Sequence, residues 1–326
     1  MKRAFIFTGQ GNEYEKMGED LFKNSTESKE MIESLKLNFD FNDMCVKENI
    51  LVSDTRYSQT SVFLISIALA KLLNKRGIYA DATAGLSLGE YTSLCYSNSI
   101  SIQDTVDILY QRSNIMYNAL KDSNSGMVAV LLSNKKPLEI DTSKFKCEVA
   151  NYNSPKQIVI TGDNKAIEIC SQKYLEEGAL KTIKLNVTGA FHSVFLKEGS
   201  NTLNKYLSNY NFEVPEIPVY YNYIGNKGDY NIKELLVKQL YNPVLFKQSI
   251  ERMIEDGVDQ FCCIGVGSSP ASFIKSIAKS MDVKVDIQVI EKVSDVEKFA
   301  KTFELSPIKK ILKKRLNKPI IIPTME

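Results

Sequence analysis

Ala80-Asp81-Ala82-Thr83-Ala84-Gly85-Leu86-Ser87-Leu88-Gly89-Glu90-Tyr91-Thr92 is the stretch on which the fold turns. A short small-residue run at Ala80–Ala84 reads as a strand, and a helix is expected from Glu90. Between them stands Gly-x-Ser-x-Gly, the spacing of a nucleophile elbow, where glycines let the backbone crowd and lift a serine hydroxyl clear of its neighbours. The free N–H groups of the helix start then face the place where an oxyanion would develop. The same rhythm recurs around this stretch. Ala4–Phe7 reads as a buried strand ending in Gly9-Gln10-Gly11, and helices are expected over 59–75 and 102–120, the latter opened by Ser101 and Asp104. Strand, glycine turn and helix in alternation predict a parallel α/β sheet.

From about residue 125 the grammar changes. Strands are expected at Met127–Leu132, Phe145–Ala150, Gln157–Thr161 and Leu180–Val187, with a weak helix near 135–143 and a clearer one at Lys165–Glu177. That order, β-α-β-β-α-β, is ferredoxin-like. After residue 192 the larger pattern resumes with helices over 194–208, 231–240, 243–256 and 270–280 and a strand at Gln260–Ile264. The expected fold is therefore α/β: a parallel-sheet, α/β-hydrolase-like large domain (1–122 and 192–300) with an inserted ferredoxin-like small domain (123–191). Residues 301–326 form a basic extension.

Composition narrows the function. Of 326 residues, 44% are apolar and 25% charged, which is ordinary for a globular protein. No apolar run is long enough to span a membrane and no signal peptide is apparent, so a cytoplasmic location is expected. Six cysteines without a CxxC pair, beside a single histidine, predict buried free thiols and no metal site. Residues 307–326 carry six Lys or Arg against one Glu, whereas residues 1–306 carry 35 basic and 38 acidic residues. A near-neutral body without aromatic and basic interleaving argues against nucleic acid.

A serine at its own pKa needs a base within hydrogen-bond reach. The one histidine, His192, must be that base if histidine is used; it sits in Gly189-Ala190-Phe191-His192-Ser193, where the inserted domain ends. Ordinary α/β-hydrolases place the acid between serine and a late histidine. Here a long stretch follows His192, which points to a different fold with a related elbow, in which either a carboxylate or a backbone carbonyl could orient the base. Arg112 falls on the apolar face of the 102–120 helix, beside Met116. An arginine there needs a partner, and its fork matches a carboxylate. Gly9-Gln10-Gly11 lacks the third glycine of a dinucleotide fingerprint, so no such cofactor site is expected.

Six motifs occur in order: Phe7-Thr8-Gly9-Gln10-Gly11, Gly85-Leu86-Ser87-Leu88-Gly89-Glu90-Tyr91, Arg112 with Met116, Asn151-Tyr152-Asn153-Ser154-Pro155-Lys156-Gln157, Gly189-Ala190-Phe191-His192-Ser193 and Gln239-Leu240-Tyr241-Asn242-Pro243-Val244. With these the chain resembles the malonyl-CoA:acyl-carrier-protein transacylases and the related acyltransferases of polyketide synthases, over about residues 1–300. The resemblance implies Ser87 as acylated nucleophile and His192 as its base. It implies an oxyanion hole from the backbone N–H groups of Gln10 and Leu88, and Arg112 as partner of the malonyl carboxylate. The Gln239 carbonyl would orient His192, with Met116, Phe191 and Asn153 lining the substrate site. The chain departs from the family pattern at Thr8, at Asn12-Glu13, at Leu86 beside the nucleophile and at Val266 between two glycines. Phe191 matches the malonyl-selective form of its motif.

The implied function is ping-pong transfer of malonyl from malonyl-CoA to the phosphopantetheine thiol of an acyl carrier protein, in fatty acid or polyketide synthesis. No cofactor is needed, and a monomer is expected, without nucleic acid or membrane. Alternatives are a carrier-protein acyl hydrolase, an acyltransferase for another α-carboxylated extender, and a carrier-docking pseudo-enzyme. Ile308–Leu316 carries an apolar stripe among lysines, which suits either a packed terminal helix or a face that steers an acidic carrier protein.

Overall fold

Arg3–Phe7 and Gln260–Ile264 are nearly unbroken apolar runs, and such runs belong in the middle of a parallel sheet that is covered on both faces. The computed structural model, which describes residues 1–133 and 141–304, places them there. The strands in chain order are β1 (Arg3–Phe7), β2 (Ala82–Gly85), β3 (Ser125–Leu131), β4 (Cys147–Ser154), β5 (Gln157–Asp163), β6 (Lys181–Lys184), β7 (Val219–Tyr220), β8 (Gln260–Ile264) and β9 (Asp286–Ile290). The parallel sheet runs β7-β2-β1-β8-β9, with every residue of β1 and β8 buried. The helices are α1 (Glu19–Asn24), α2 (Thr26–Glu33), α3 (Thr55–Lys75), α4 (Leu88–Tyr96), α5 (Ile102–Leu120), α6 (Asn164–Glu176), α7 (Lys197–Leu207), α8 (Ile232–Tyr241), α9 (Phe246–Glu255), α10 (Ser269–Ser280) and α11 (Val293–Glu304).

Local chemistry starts these helices. Asp54 Oδ1 accepts from the Arg56 N–H at the head of α3, and Ser101 Oγ accepts from the Asp104 N–H at the head of α5. Each cap satisfies a donor that has no intrahelical carbonyl. The apolar faces of α3 and α4 pack on the sheet and α5 packs on those two helices, with Phe5, Phe7, Phe63, Leu64, Leu88 and Leu109 in one cluster.

The small sheet is antiparallel in the order β4-β5-β3-β6, which is the ferredoxin-like arrangement: first strand between third and fourth, second at the edge. Ile167, Cys170 and Tyr174 of α6 pack against Val128, Val130 and Ile160 of its strands. The weak helix expected over 135–143 falls largely outside the described residues, and Thr142–Phe145 is a single 3-10 turn. The stripe at 308–316 also lies outside them. Two further expectations are corrected. The strand placed at Leu180–Val187 is regular only over Lys181–Lys184, because it is an edge strand whose outer side has no partner among the described residues. The helix placed at 194–208 opens with a 3-10 turn, Val194–Leu196, before α7.

The two sheets meet at the segments that matter. The Tyr152 N–H donates to the Val244 carbonyl (3.0 Å) and the Val244 N–H to the Ala150 carbonyl (2.8 Å), tying the edge of the small sheet to the chain just after α8. The return from β6 is held by β3 and β5: the Ala190 N–H donates to Ser125 Oγ (3.0 Å), and Thr161 Oγ1 donates to the Phe191 carbonyl (3.0 Å). His192 follows directly.

Candidate active site

The glycines around Ser87 are demanded by packing. A Cβ at Gly85 would lie 2.1 Å from the Gly89 carbonyl carbon, and one at Gly89 would lie 2.4 Å from the Phe7 carbonyl oxygen. A Cβ at Gly9 would meet the Leu86 carbonyl at 2.6 Å, so the Gly9-Gln10 backbone abuts the elbow from the end of β1. Ser87 itself has φ 52° and ψ −102°, a conformation that costs a non-glycine residue about 1–3 kcal/mol. Serine is among the best N-cap residues, yet Ser87, at the head of α4, caps nothing with its side chain. Its hydroxyl is used elsewhere.

That hydroxyl lies 2.9 Å from His192 Nε2 and accepts from Arg112 Nη2 at 2.9 Å. His192 Nδ1 lies 2.8 Å from the Gln239 carbonyl oxygen, which fixes the tautomer: Nδ1–H donates to the carbonyl and the Nε2 lone pair faces Ser87. The orienting group is thus neutral, and among the described residues no acid completes a triad. His192, like Ser87, has a positive φ, of 54°. Arg112 is fully buried, and its polar partners are neutral: Nη1 donates to Gln59 Oε1 (2.5 Å), Nη2 also donates to Gln239 Oε1 (3.1 Å), and the Tyr91 ring lies 5.3 Å away. Nε has no partner. The guanidinium therefore keeps donor capacity for an incoming anion.

Burial, followed by the Arg112 charge, pushes His192 down to about 4, against the pull of the Gln239 and Asn242 backbone groups. A base with a lowered pKa keeps its lone pair in mildly acidic solution. Inactivation by the neutral reagent phenylmethylsulfonyl fluoride should therefore stay flat from pH 8 to 5.5. An unshifted histidine at 6.5 would by then have cost about tenfold. A limb with a midpoint near 6.5 would show that the site does not hold His192 in this way.

The remaining expected residues are distributed unevenly. Leu88 is buried in the first turn of α4, where its N–H has no intrahelical carbonyl available. Gln10 reaches the site through Thr55: Thr55 Oγ1 donates to Gln10 Oε1 (3.1 Å), and Gln59 Nε2 donates to Thr55 Oγ1 (2.9 Å) and Met116 Sδ (3.4 Å). Met116 and Arg112 are thus joined by one glutamine. Phe191 is buried beside His192. Asn153 is not drawn into this network: its Nδ2 donates to Gln157 Oε1 (2.8 Å), and its buried Oδ1 has no partner among the described residues. Leu86 packs with the cluster beneath β2 and touches neither Ser87 Oγ nor His192 through a hydrogen bond.

The structure adds groups that were not anticipated. Gln59 holds Arg112; Asn222 and Glu90 stand behind the elbow. Gln239 contributes its side chain as well as its carbonyl, with Nε2 donating to the Ser87 carbonyl (2.9 Å). Glu90 is fully buried and pushed up to about 7 by that burial, although the Asn222 N–H, Gln239 and Arg112 pull it back. Among the described residues no group of His, Cys, Asp or Glu is placed to hold a metal ion, and no helix is long and apolar enough to cross a membrane.

The family model for acyl transferase domains matches residues 4–309. The malonyl CoA-acyl carrier protein transacylase of Bacillus subtilis is 32% identical over 299 residues, covering 86% of this chain and 92% of its own. That of Staphylococcus aureus is 34% identical over 304 residues, covering 90% and 97%. The crystal structure of the malonyl CoA-acyl carrier protein transacylase from Clostridium perfringens superposes with a TM-score of 0.85 at 32% identity, over 96% of this chain and 100% of that one. With its elbow, its acid-free histidine and its buried arginine in one network, the chain belongs to the malonyl-CoA:acyl-carrier-protein transacylase family.

Proposed function

We propose that the chain moves a malonyl group from malonyl-CoA to the phosphopantetheine thiol of an acyl carrier protein, by way of an ester on Ser87. The observation that carries this is the Ser87 hydroxyl, shared between a neutral histidine nitrogen and a guanidinium at 2.9 Å each. A nucleophile and a carboxylate-matching cation on one atom suit an acyl group that ends in a carboxylate.

In the first half-reaction His192 Nε2 takes the Ser87 proton as Oγ attacks the thioester carbonyl. The Leu88 and Gln10 N–H groups receive the oxyanion, the C–S bond breaks, and His192 returns the proton to the CoA thiolate. In the second half-reaction the carrier thiol gives its proton to His192 and attacks the Ser87 ester, and serine leaves reprotonated. Arg112 holds the malonyl carboxylate through both halves and orients the carbonyl. Thioester, ester and thioester are close in free energy, so no cofactor is required. On this view residues 1–122 and 192–300 form the catalytic unit, 123–191 the inserted one, and the chain works as a cytoplasmic monomer without nucleic acid or membrane.

Intact-mass measurement tests this. Malonyl-CoA should add one malonyl group to the protein, acetyl-CoA should add little, and holo carrier protein should remove the malonyl group and gain its mass. An increment lost to water at the same rate with or without carrier would identify a hydrolase instead.

A further inference from the structure

Ser87 sits in a backbone conformation that neither the strand before it nor the helix after it supplies. β2 ends at Gly85 and α4 begins at Leu88, so the Ser87 N–H and the Gly85 carbonyl flank a kink between two ladders. Both are met by one side chain. Asn222 Oδ1 accepts from the Ser87 N–H at 2.8 Å, and Asn222 Nδ2 donates to the Gly85 carbonyl at 2.7 Å. Oδ1 also accepts a longer bond from Gln239 Nε2, at 3.4 Å. Asn222 is wholly buried, and its own backbone is held on both sides: its N–H donates to Glu90 Oε2 (2.5 Å), and its carbonyl accepts from the Leu245 N–H (2.8 Å).

We propose that Asn222 is a positioning residue for the nucleophile, its amide bridging the elbow so that the Ser87 peptide cannot rotate out of line with His192. The proposal rests on Ser87 being the nucleophile. An amide is planar and carries donor and acceptor side by side, so it replaces the backbone bonds that the kink removes. Occupying the Ser87 N–H has a second effect. Gly89 and Glu90 donate back to Leu86 and Ser87, so the Leu88 N–H is the donor that the elbow leaves for an oxyanion. The buried Glu90 carboxylate, on the helix that follows the nucleophile, locks the register of Asn222 against it. One contiguous chain of bonds thus links Glu90, Asn222, Gln239, His192 and Ser87. Asn222 touches no reacting atom, and its influence passes through Ser87.

The test separates positioning from substrate recognition. Phenylmethylsulfonyl fluoride needs an activated serine but neither CoA binding nor the Arg112 clamp. Asn222→Ala should slow both sulfonylation and malonyl acylation by about 100-fold, the size of loss that a misplacement near 1 Å produces. The KM for malonyl-CoA should stay within about threefold, because Arg112 and the pocket are untouched. Asn222→Leu keeps the volume but supplies neither bond; it should slow both reactions about as much as alanine does, and it carries the test if the alanine variant does not fold. A folded variant that is sulfonylated at the wild-type rate overturns the proposal, as does a loss of rate that only follows the unfolded fraction. Wild-type protein that is sulfonylated at Ser87 yet never takes malonyl would instead sink the malonyl assignment and leave the role of Asn222 standing.

Discussion

Ser87→Ala is expected to leave no acyl-enzyme at all, while the protein stays folded. The proposed transfer runs through a covalent ester on Ser87, so without Oγ it has no partial route: malonyl-CoA should add no mass, and transfer to carrier protein should fall to the uncatalysed level. The fold should be indifferent. Alanine keeps the Cβ that serine already places at φ 52°, so no new backbone strain arises. Ser87 Oγ caps no helix, so α4 loses no cap. Arg112 Nη2 retains Gln239 Oε1, and His192 retains the Gln239 carbonyl. The net loss of a typical hydrogen bond is about 1 kcal/mol, so thermal unfolding should move by a few degrees at most. A variant that still gains the malonyl mass would show another nucleophile. One that unfolds would show that Ser87 supports the fold instead.

Why Ser87 could be read from sequence while its supports could not is a matter of distance along the chain. The elbow announces itself through glycines two residues either side, and β1, β8 and α5 through apolar runs and a serine cap, all local signals. His192 stood out because there is no other histidine. Arg112 stood out because a charge on an apolar helix face is anomalous. Asn222, by contrast, lies 135 residues from Ser87, and nothing around Tyr221-Asn222-Tyr223 hints at its partner. Gln59 is one polar residue inside a long helix, ordinary until its oxygen is found on Arg112. Three elements outside the sequence reading are too short or too exposed to carry a periodic pattern: β7 is two residues long, β9 is half exposed at a sheet edge, and α1 is barely two turns. α11 is different, since its buried Val293, Val296, Phe299 and Ala300 make a stripe at helical spacing that the sequence does display.

Arg112→Ala should lower the preference for malonyl over acetyl by roughly tenfold to a hundredfold, which matches the 1.5–3 kcal/mol of a hydrogen bond to a charged group. The absolute rates will be harder to interpret than the ratio. Arg112 also donates to Ser87 Oγ, to Gln59 and to Gln239, so its removal disturbs the nucleophile for every substrate. Dividing the malonyl rate by the acetyl rate cancels that common loss and isolates the carboxylate. The stability cost should be appreciable, because a large, fully buried side chain leaves a cavity and the Gln59 and Gln239 oxygens lose their donor; the desolvation that disfavours the charged guanidinium offsets only part of this. The base should respond in a defined direction. The Arg112 charge helps to hold His192 down, so without it His192 rises and the acid limb of sulfonylation moves to higher pH, though burial, the larger cause, keeps it below the ordinary value. Arg112→Lys keeps the charge and loses the fork. It should hold the pH limb near that of the wild type while recovering only part of the malonyl preference. If instead the alanine variant keeps the full malonyl preference, the carboxylate is recognised elsewhere, and the buried guanidinium serves the nucleophile alone.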